Sequence, residues 1–321
     1  MFYDFNYFYS MNAKGKLIII GGAVDKGSFT EAPFDGHVAN NLNFFETGIL
    51  RRILRESKHG EDSRIEVITT ASVIPREVGP QYVKAFEYLK AKNVGLMHIE
   101  KREQTFEPEV LERIQAADVV MFTGGDQLRL TSILGGTKLH DIILDKFHNE
   151  EFIYAGTSAG AAAASNNMIY QGSSHEALLK GEVKITSGLS LIQNVIIDTH
   201  FVQRGRMGRL FQAVVGNPRV LGIGLGEDTG LLITNDNMME AIGSGLVILV
   251  DGRNIMDTNL TQVEMGRPIS INNMSVHVMS MYDTYDLKTR KMEIHNSQYA
   301  SELMIPVEAE EEPQPNAEDL E

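Results

Sequence analysis

Three times in the first half of the chain an unbroken apolar run ends in small residues. Leu17-Ile18-Ile19-Ile20 runs into Gly21-Gly22, Val119-Val120-Met121-Phe122 into Thr123-Gly124-Gly125, and Phe152-Ile153-Tyr154-Ala155 into Gly156-Thr157-Ser158-Ala159-Gly160. Runs this short and this uniformly apolar read as strands buried on both faces, the signature of a parallel sheet covered by helices. Segments of helical periodicity lie between them: Asn41 to Glu56, Gln81 to Lys92, Pro108 to Ala117, Gln127 to Leu134 and His140 to Asn149. Ile65 to Thr70 and Val94 to Ile99 add two further strands. Alternating strands and helices with short connections imply right-handed crossovers and an α/β fold, a mostly parallel sheet with helices on both faces. Ligand sites in such folds open at the carboxyl ends of the strands. All three small-residue turns fall at such ends.

The pattern changes in the second half. Val195 to Asp198 reads as a strand leading to His200, Arg204 to Val215 as a helix, and Val220 to Leu225 as a strand leading to Glu227. Gly230 to Thr234 is expected as a partner strand. Leu246 to Val250, Ile269 to Ile271 and Ser275 to Met281 are expected as further β-strands that complete the sheet or pack beside it.

Gly156-Thr157-Ser158-Ala159-Gly160 has the G-x-S-x-G pattern between a strand and an alanine-rich, helix-favouring run, Ala161 to Ala164. That is the context of a nucleophile elbow, a sharp turn that lifts a serine hydroxyl above the sheet edge. Serine needs a base, and the base needs an orienting group. Of nine histidines, His59, His98, His140, His148 and His295 sit in polar or helical surroundings and read as surface residues. His200 follows an apolar strand and opens a loop, where a strand-end catalytic residue stands. Four acids compete for the third role: Glu227, Asp228, Asp198 and Glu176. Glu227 ranks first because a buried strand precedes it, whereas Glu176 lies in an apparent loop.

Gly124 and Gly125 stand where backbone amides of a strand end meet a substrate. The Gly125 amide, with that of Ala159, suits an oxyanion hole. Asp126 and Gln127 follow at once, within reach of a ligand. Arg204, Arg206 and Arg209 cluster after His200. Guanidiniums bind carboxylates through paired hydrogen bonds, so the cluster suggests an acidic substrate, against the plainer reading of a solvated helix face. Gly21-Gly22-Ala23-Val24-Asp25-Lys26-Gly27 matches neither dinucleotide-binding nor P-loop spacing and reads as a loop bordering the site. No His, Asp and Glu set has metal-ligand spacing.

Composition narrows the classes. The 321 residues contain no cysteine, which excludes disulfides, thiolate metal sites and cysteine nucleophiles and fits a reducing, cytoplasmic compartment. A formal net charge of −14 argues against nucleic acid. No run is long and apolar enough to span a bilayer, so no membrane partner is expected. Seven acids between Val307 and Glu321 account for half of that charge, and with Pro313 and Pro315 they mark residues 307–321 as a disordered acidic tail. Residues 1–14 form an aromatic N-terminal extension that lacks the basic start of a secretory signal, and Met11 is an alternative start. Residues 15–306 are expected to form a single α/β domain.

Gly21-Gly22, Phe122 to Gln127, Gly156 to Ala161, Asp198-Thr199-His200-Phe201 with the three arginines, and Gly224 to Thr229, taken in order, resemble the cyanophycinase family. That family is related to the aspartyl dipeptidases, with a fold like the class I glutamine amidotransferases. The resemblance spans roughly residues 15–290. It implies a serine exopeptidase that releases β-aspartyl-arginine dipeptides from cyanophycin (multi-L-arginyl-poly-L-aspartate) through an acyl-enzyme. By that match Ser158 is the nucleophile, His200 the base and Glu227 the orienting acid, and Gln127, Asp198, Arg204, Arg206 and Arg209 lie where the family binds substrate. Thr199 departs from the glutamine of the best-known members. The resemblance also implies a homodimer that uses no cofactor. The competing readings are an α- or β-aspartyl dipeptidase of the same clan and a catalytically silent, ligand-binding homologue.

Overall fold

The computed structural model describes residues 13–27, 44–234 and 237–295. Most of the N-terminal extension and all of the acidic tail lie outside these. In chain order the elements of the first half are β1 (Lys16–Ile20), α1 (Ile49–Glu56), β2 (Arg64–Ile68), α2 (Pro75–Tyr88), β3 (Asn93–Met97), α3 (Pro108–Gln115), β4 (Val119–Phe122), α4 (Gln127–Leu134), α5 (Lys138–Asn149), β5 (Ile153–Thr157) and α6 (Ala159–Ala162). The second half adds β6 (Asn167–Gln171), β7 (Lys184–Ser187), β8 (Val195–Thr199), α7 (Met207–Gly216), β9 (Leu221–Leu225), β10 (Thr229–Ile233), β11 (Met238–Gly243) and β12 (Val247–Asp251). The short strands β13 (Asp257–Thr258), β14 (Ile271–Asn272), β15 (Ser275–Met279), β16 (Thr284–Asp286) and β17 (Lys291–Glu293) complete the series.

Nine strands form the central sheet in the order β17-β16-β11-β10-β1-β5-β4-β2-β3. The half from β1 to β3 is parallel throughout. The alternation that the apolar runs conceal is visible in where their side chains go. Leu17 and Ile19 of β1, Val120 and Phe122 of β4 and Tyr154 of β5 enter one core. Ile18 and Ile20, Val119 and Met121, and Ile153 and Ala155 enter another on the opposite face. Both faces are covered, so both need apolar residues.

A second sheet, β15-β12-β9-β8, lies beside the first. Val195, Ile197, Leu221, Ile223, Leu225, Val247 and Leu249 point into the same core as Leu17 and Tyr154, which fuses the two sheets. Their other faces pack with Leu210 and Val214 of α7. The segment Gly230 to Thr234 does not pair with β9, its predecessor. As β10 it crosses to the central sheet and pairs antiparallel with β1 and β11. Residues 226–228 therefore carry the chain from one sheet to the other, and Asp228 takes the left-handed backbone (φ 45°) that the crossing demands.

Smaller differences have local causes. α2 begins at Pro75, whose fixed φ suits a first helical position, and ends before Lys90 at φ 68°. α7 starts later than expected because residues 201–206 close into turns. The hairpin β6–β7 and strand β11 carry little sequence signal. His140 is not a surface residue. It is buried, with Nε2 2.8 Å from the Leu189 carbonyl and Nδ1 accepting the Gly136 amide.

Candidate active site

Strand β5 ends at Thr157, and Ser158 turns the chain with φ 50° and ψ −106° before a single helical turn begins at Ala159. Few L-residues adopt that backbone, and it persists because the surroundings enforce it. The pattern's two glycines permit the enforcement. A Cβ on Gly156 would lie 2.5 Å from the Gly160 carbonyl carbon, and one on Gly160 would lie 2.8 Å from Phe122. The elbow can close this tightly only without those atoms.

His200 ends the extension of β8 and Glu227 that of β9, so the second sheet supplies two groups to a serine held by the first. Ser158 Oγ lies 3.1 Å from His200 Nε2, and His200 Nδ1 lies 2.6 Å from Glu227 Oε1. The other acids stand elsewhere. Glu176 is exposed on its loop. Asp228 is buried, accepting the Asp25 amide at 3.0 Å and the Ser244 hydroxyl at 2.8 Å.

Strand β1 sets the register of these groups. The carbonyls of Ile20, Gly21 and Gly22, three in succession, accept the amides of Ser158, His200 and Asp228, each at 2.8 Å. All three donors have positive φ, 50°, 50° and 45°. The glycine pair of the first turn thus lies against the site, as a bordering loop should. Gly22 also makes room for the imidazole, since a Cβ there would lie 2.3 Å from His200 Cε1.

On the other side of the serine, Gly124 packs against Ser158 Cβ, at 3.3 Å from the position its own Cβ would take. Gly125 rests on the Ala71 carbonyl with φ 147°. The Ala159 amide opens α6, so it has no intrahelical acceptor. Asp126 caps α4, its carboxylate accepting the amides of Leu128 and Arg129. Gln127 donates to the Ile169 carbonyl at 2.8 Å and so ties α4 to β6.

The arginine cluster divides into three environments. Arg204 is exposed. Arg206 donates to the Thr199 carbonyl at 2.7 Å and to Asp198 Oδ1 at 3.2 Å. Arg209 is buried and donates to the same Oδ1 at 3.0 Å. Asp198 is therefore a buried counterion, and Thr199 beside it is buried as well. Burial raises the Asp198 carboxyl, with the Arg209 and Arg206 charges pulling the other way. Burial also holds the His200 imidazole below its ordinary range. The Glu227 hydrogen bond opposes that shift, and the Arg204 and Arg206 charges reinforce it. A neutral imidazole between a hydroxyl and a carboxylate is poised to accept a proton. Gln203, which the sequence did not single out, accepts the Glu227 amide through Oε1 at 3.2 Å. Among the described residues, no group of three His, Asp or Glu is placed to hold a metal ion.

A model of peptidase family S51 matches residues 43–241, which include the whole Ser158–His200–Glu227 chain. The chain belongs to peptidase family S51. The chain is 35% identical over 277 residues to the cyanophycinase of Trichormus variabilis, covering 86% of this chain and 87% of that one. To the cyanophycinase of Geminocystis herdmanii it is 34% identical over 278 residues, 87% of this chain and 96% of that one. In fold this S51 peptidase is similar to the crystal structure of a peptidase from an acI-B1 actinobacterium, with a TM-score of 0.56 and 21% identity over 77% of this chain and 94% of that one. Among the described residues no helix is long and apolar enough to cross a membrane.

Proposed function

We propose that this S51 peptidase degrades cyanophycin, releasing β-aspartyl-arginine dipeptides through an acyl-enzyme formed on Ser158. One observation carries the mechanism: the unbroken hydrogen-bonded chain from Ser158 Oγ through His200 to Glu227. The substrate class rests on the likeness to the curated relatives, over most of both chains. His200 takes the Ser158 proton as the hydroxyl attacks the scissile carbonyl. Glu227 holds the imidazole in the tautomer that leaves Nε2 free to accept, and it stabilises the imidazolium that forms. The amides of Gly125 and Ala159 receive the developing oxyanion. His200 then passes its proton to the leaving amine, and water, activated by the same base, releases the product.

Substrate carboxylates fall to Arg204 and to the outer edge of Arg206. Gly124 forms the floor beside the nucleophile. Asp198 and Arg209 support this wall from within, with Thr199 and Gln127 behind it, rather than meeting the ligand first. The protein works without a cofactor as a homodimer in the cytoplasm, and residues 15–306 form its single domain. The shared core of the two sheets supports the last point, and the absence of cysteine fits a reducing compartment.

Incubating the protein with purified cyanophycin and weighing the products by mass spectrometry tests the reading. Accumulation of the β-linked Asp-Arg dipeptide is expected, together with labelling of Ser158 by a fluorophosphonate. Cleavage confined to short Asp-X peptides would assign an aspartyl dipeptidase instead. Folded protein that neither cleaves nor labels would be a silent homologue.

A further inference from the structure

The acid of this proposed triad is more exposed than its base. The Glu227 side chain is 36% exposed, against 14% for His200. A half-buried carboxylate on a turn between two sheets has rotamer freedom to lose, and a loosely held acid does not fix an imidazole. The backbone around Glu227 is tied at successive points. Its carbonyl accepts the Thr229 hydroxyl at 2.9 Å, and the next amide, that of Asp228, donates to Gly22 at 2.8 Å. Its own amide donates to Gln203 Oε1 at 3.2 Å. The first tie comes from β10 and the second from the turn that follows β1. The third comes from the turn that begins at His200.

That turn is closed by its own backbone bonds. The His200 carbonyl accepts the Arg204 amide at 3.0 Å, and the Phe201 carbonyl accepts the Arg206 amide at 3.0 Å. The bond therefore spans from the base's loop to the acid's loop. We infer that Gln203 is a positioning residue for the hydrolytic reaction: its side-chain carbonyl holds the Glu227 backbone at the height where the carboxylate meets His200 Nδ1. It touches no reacting atom and acts through Glu227. The bond lies at the surface, where water can replace it, so it adds little to stability. Its consequence is alignment.

This inference rests on the catalytic reading of Ser158, His200 and Glu227, and its test must separate the two. Gln203→Met keeps the length of the side chain and removes the acceptor. Gln203→Glu keeps an acceptor oxygen on a side chain of the same length. Steady-state hydrolysis of cyanophycin and the downfield proton resonance of His200 Nδ1–H, assigned by its loss in His200→Ala, are measured on each. Gln203→Met should lower kcat by about 10- to 100-fold, the scale of a small misplacement of a catalytic group. KM and Tm should stay at the parent value, and the resonance should broaden or disappear. Gln203→Glu should recover most of kcat and restore the resonance. Parent-like kcat with an intact resonance in Gln203→Met would overturn the inference, as would a raised KM at constant kcat or a Gln203→Glu variant no better than Gln203→Met. Should the parent itself prove inactive on every peptide, the catalytic reading falls. The resonance then still decides whether Gln203 orders the His200–Glu227 pair.

Discussion

The Gly21 carbonyl accepts the backbone amide of His200 at 2.8 Å, so the end of the central strand of one sheet fixes the height of a histidine that belongs to the other. The neighbouring carbonyls of Ile20 and Gly22 do the same for Ser158 and for the residue after Glu227. Three side chains brought together from two sheets need a common ruler, and three consecutive peptide groups at the end of β1 provide one.

Gly22→Ala disturbs that ruler directly. The new Cβ would lie 2.3 Å from His200 Cε1 and 2.6 Å from Nε2, at a φ of 123° that alanine rarely adopts. The ring must swing away from Ser158. Turnover should fall on the order of 100-fold, with Ser158 labelling falling in step. The strained backbone should lower stability by about 1–3 kcal/mol, read from a urea midpoint. Parent-like turnover would show that the imidazole has slack on that side.

Strain at the elbow predicts a difference between two inactive variants. Ser158→Ala and Ser158→Gly both lose the proposed nucleophile, and hydrolysis should drop by several orders of magnitude in each. Only glycine accepts φ 50° with ψ −106° without cost. Ser158→Gly should therefore be the more stable of the two by about 1 kcal/mol, once the greater freedom of its unfolded chain is offset. Equal thermal midpoints would mean that the elbow stores little strain.

The arginines should separate in the same assays. Asp198→Ala leaves Arg209 buried without its counterion, and loss of one partner of a buried pair costs about 3–5 kcal/mol. Arg204 is exposed, so Arg204→Ala should leave Tm unchanged and raise KM more than it lowers kcat. A large fall in Tm for Arg204→Ala would show that it is structural after all.

The arrangement was legible in the sequence wherever a buried strand ended at the site. Ser158, His200 and Glu227 each follow an apolar run, and a run aims the residue after it. Side chains that serve the protein's own backbone were harder to recognise. Asp126 resembles a ligand group but sits at the N-cap of α4, where a short acid accepts the helix's first amides. The three arginines fall within six residues of the chain, yet the turn at 201–206 exposes Arg204 while α7 buries Arg209 beside Leu210 and Val214. The crossing of β10 into the central sheet has no local signal, because β9 and β10 are equally apolar and either could have paired with the other. Gln203 gave none either, since an exposed glutamine in a turn is ordinary until its partner is known.

The pH dependence follows from the causes that act on His200. Burial, Arg204 and Arg206 keep the imidazole below its ordinary range, and Glu227 raises it. The base works when neutral, so activity should persist below about pH 6.5, the ordinary histidine pKa, and be lost as pH falls through the depressed folded value. The unfolded chain binds the proton first. The group's contribution to stability is accordingly full above about pH 6.5 and declines as pH falls from there toward the folded value. Two substitutions should move the acid limb of kcat/KM in opposite directions. Arg204→Ala removes a positive charge and should shift the limb to higher pH. Glu227→Gln removes the group that favours the imidazolium and should shift it lower, while cutting turnover by about 10³- to 10⁴-fold through loss of the oriented tautomer. Glu176→Gln, on its exposed loop, should leave both limb and turnover unchanged. Profiles of the three variants beside the parent decide the point, and a limb that Arg204→Ala leaves in place would mean that the arginine's charge does not reach the imidazole.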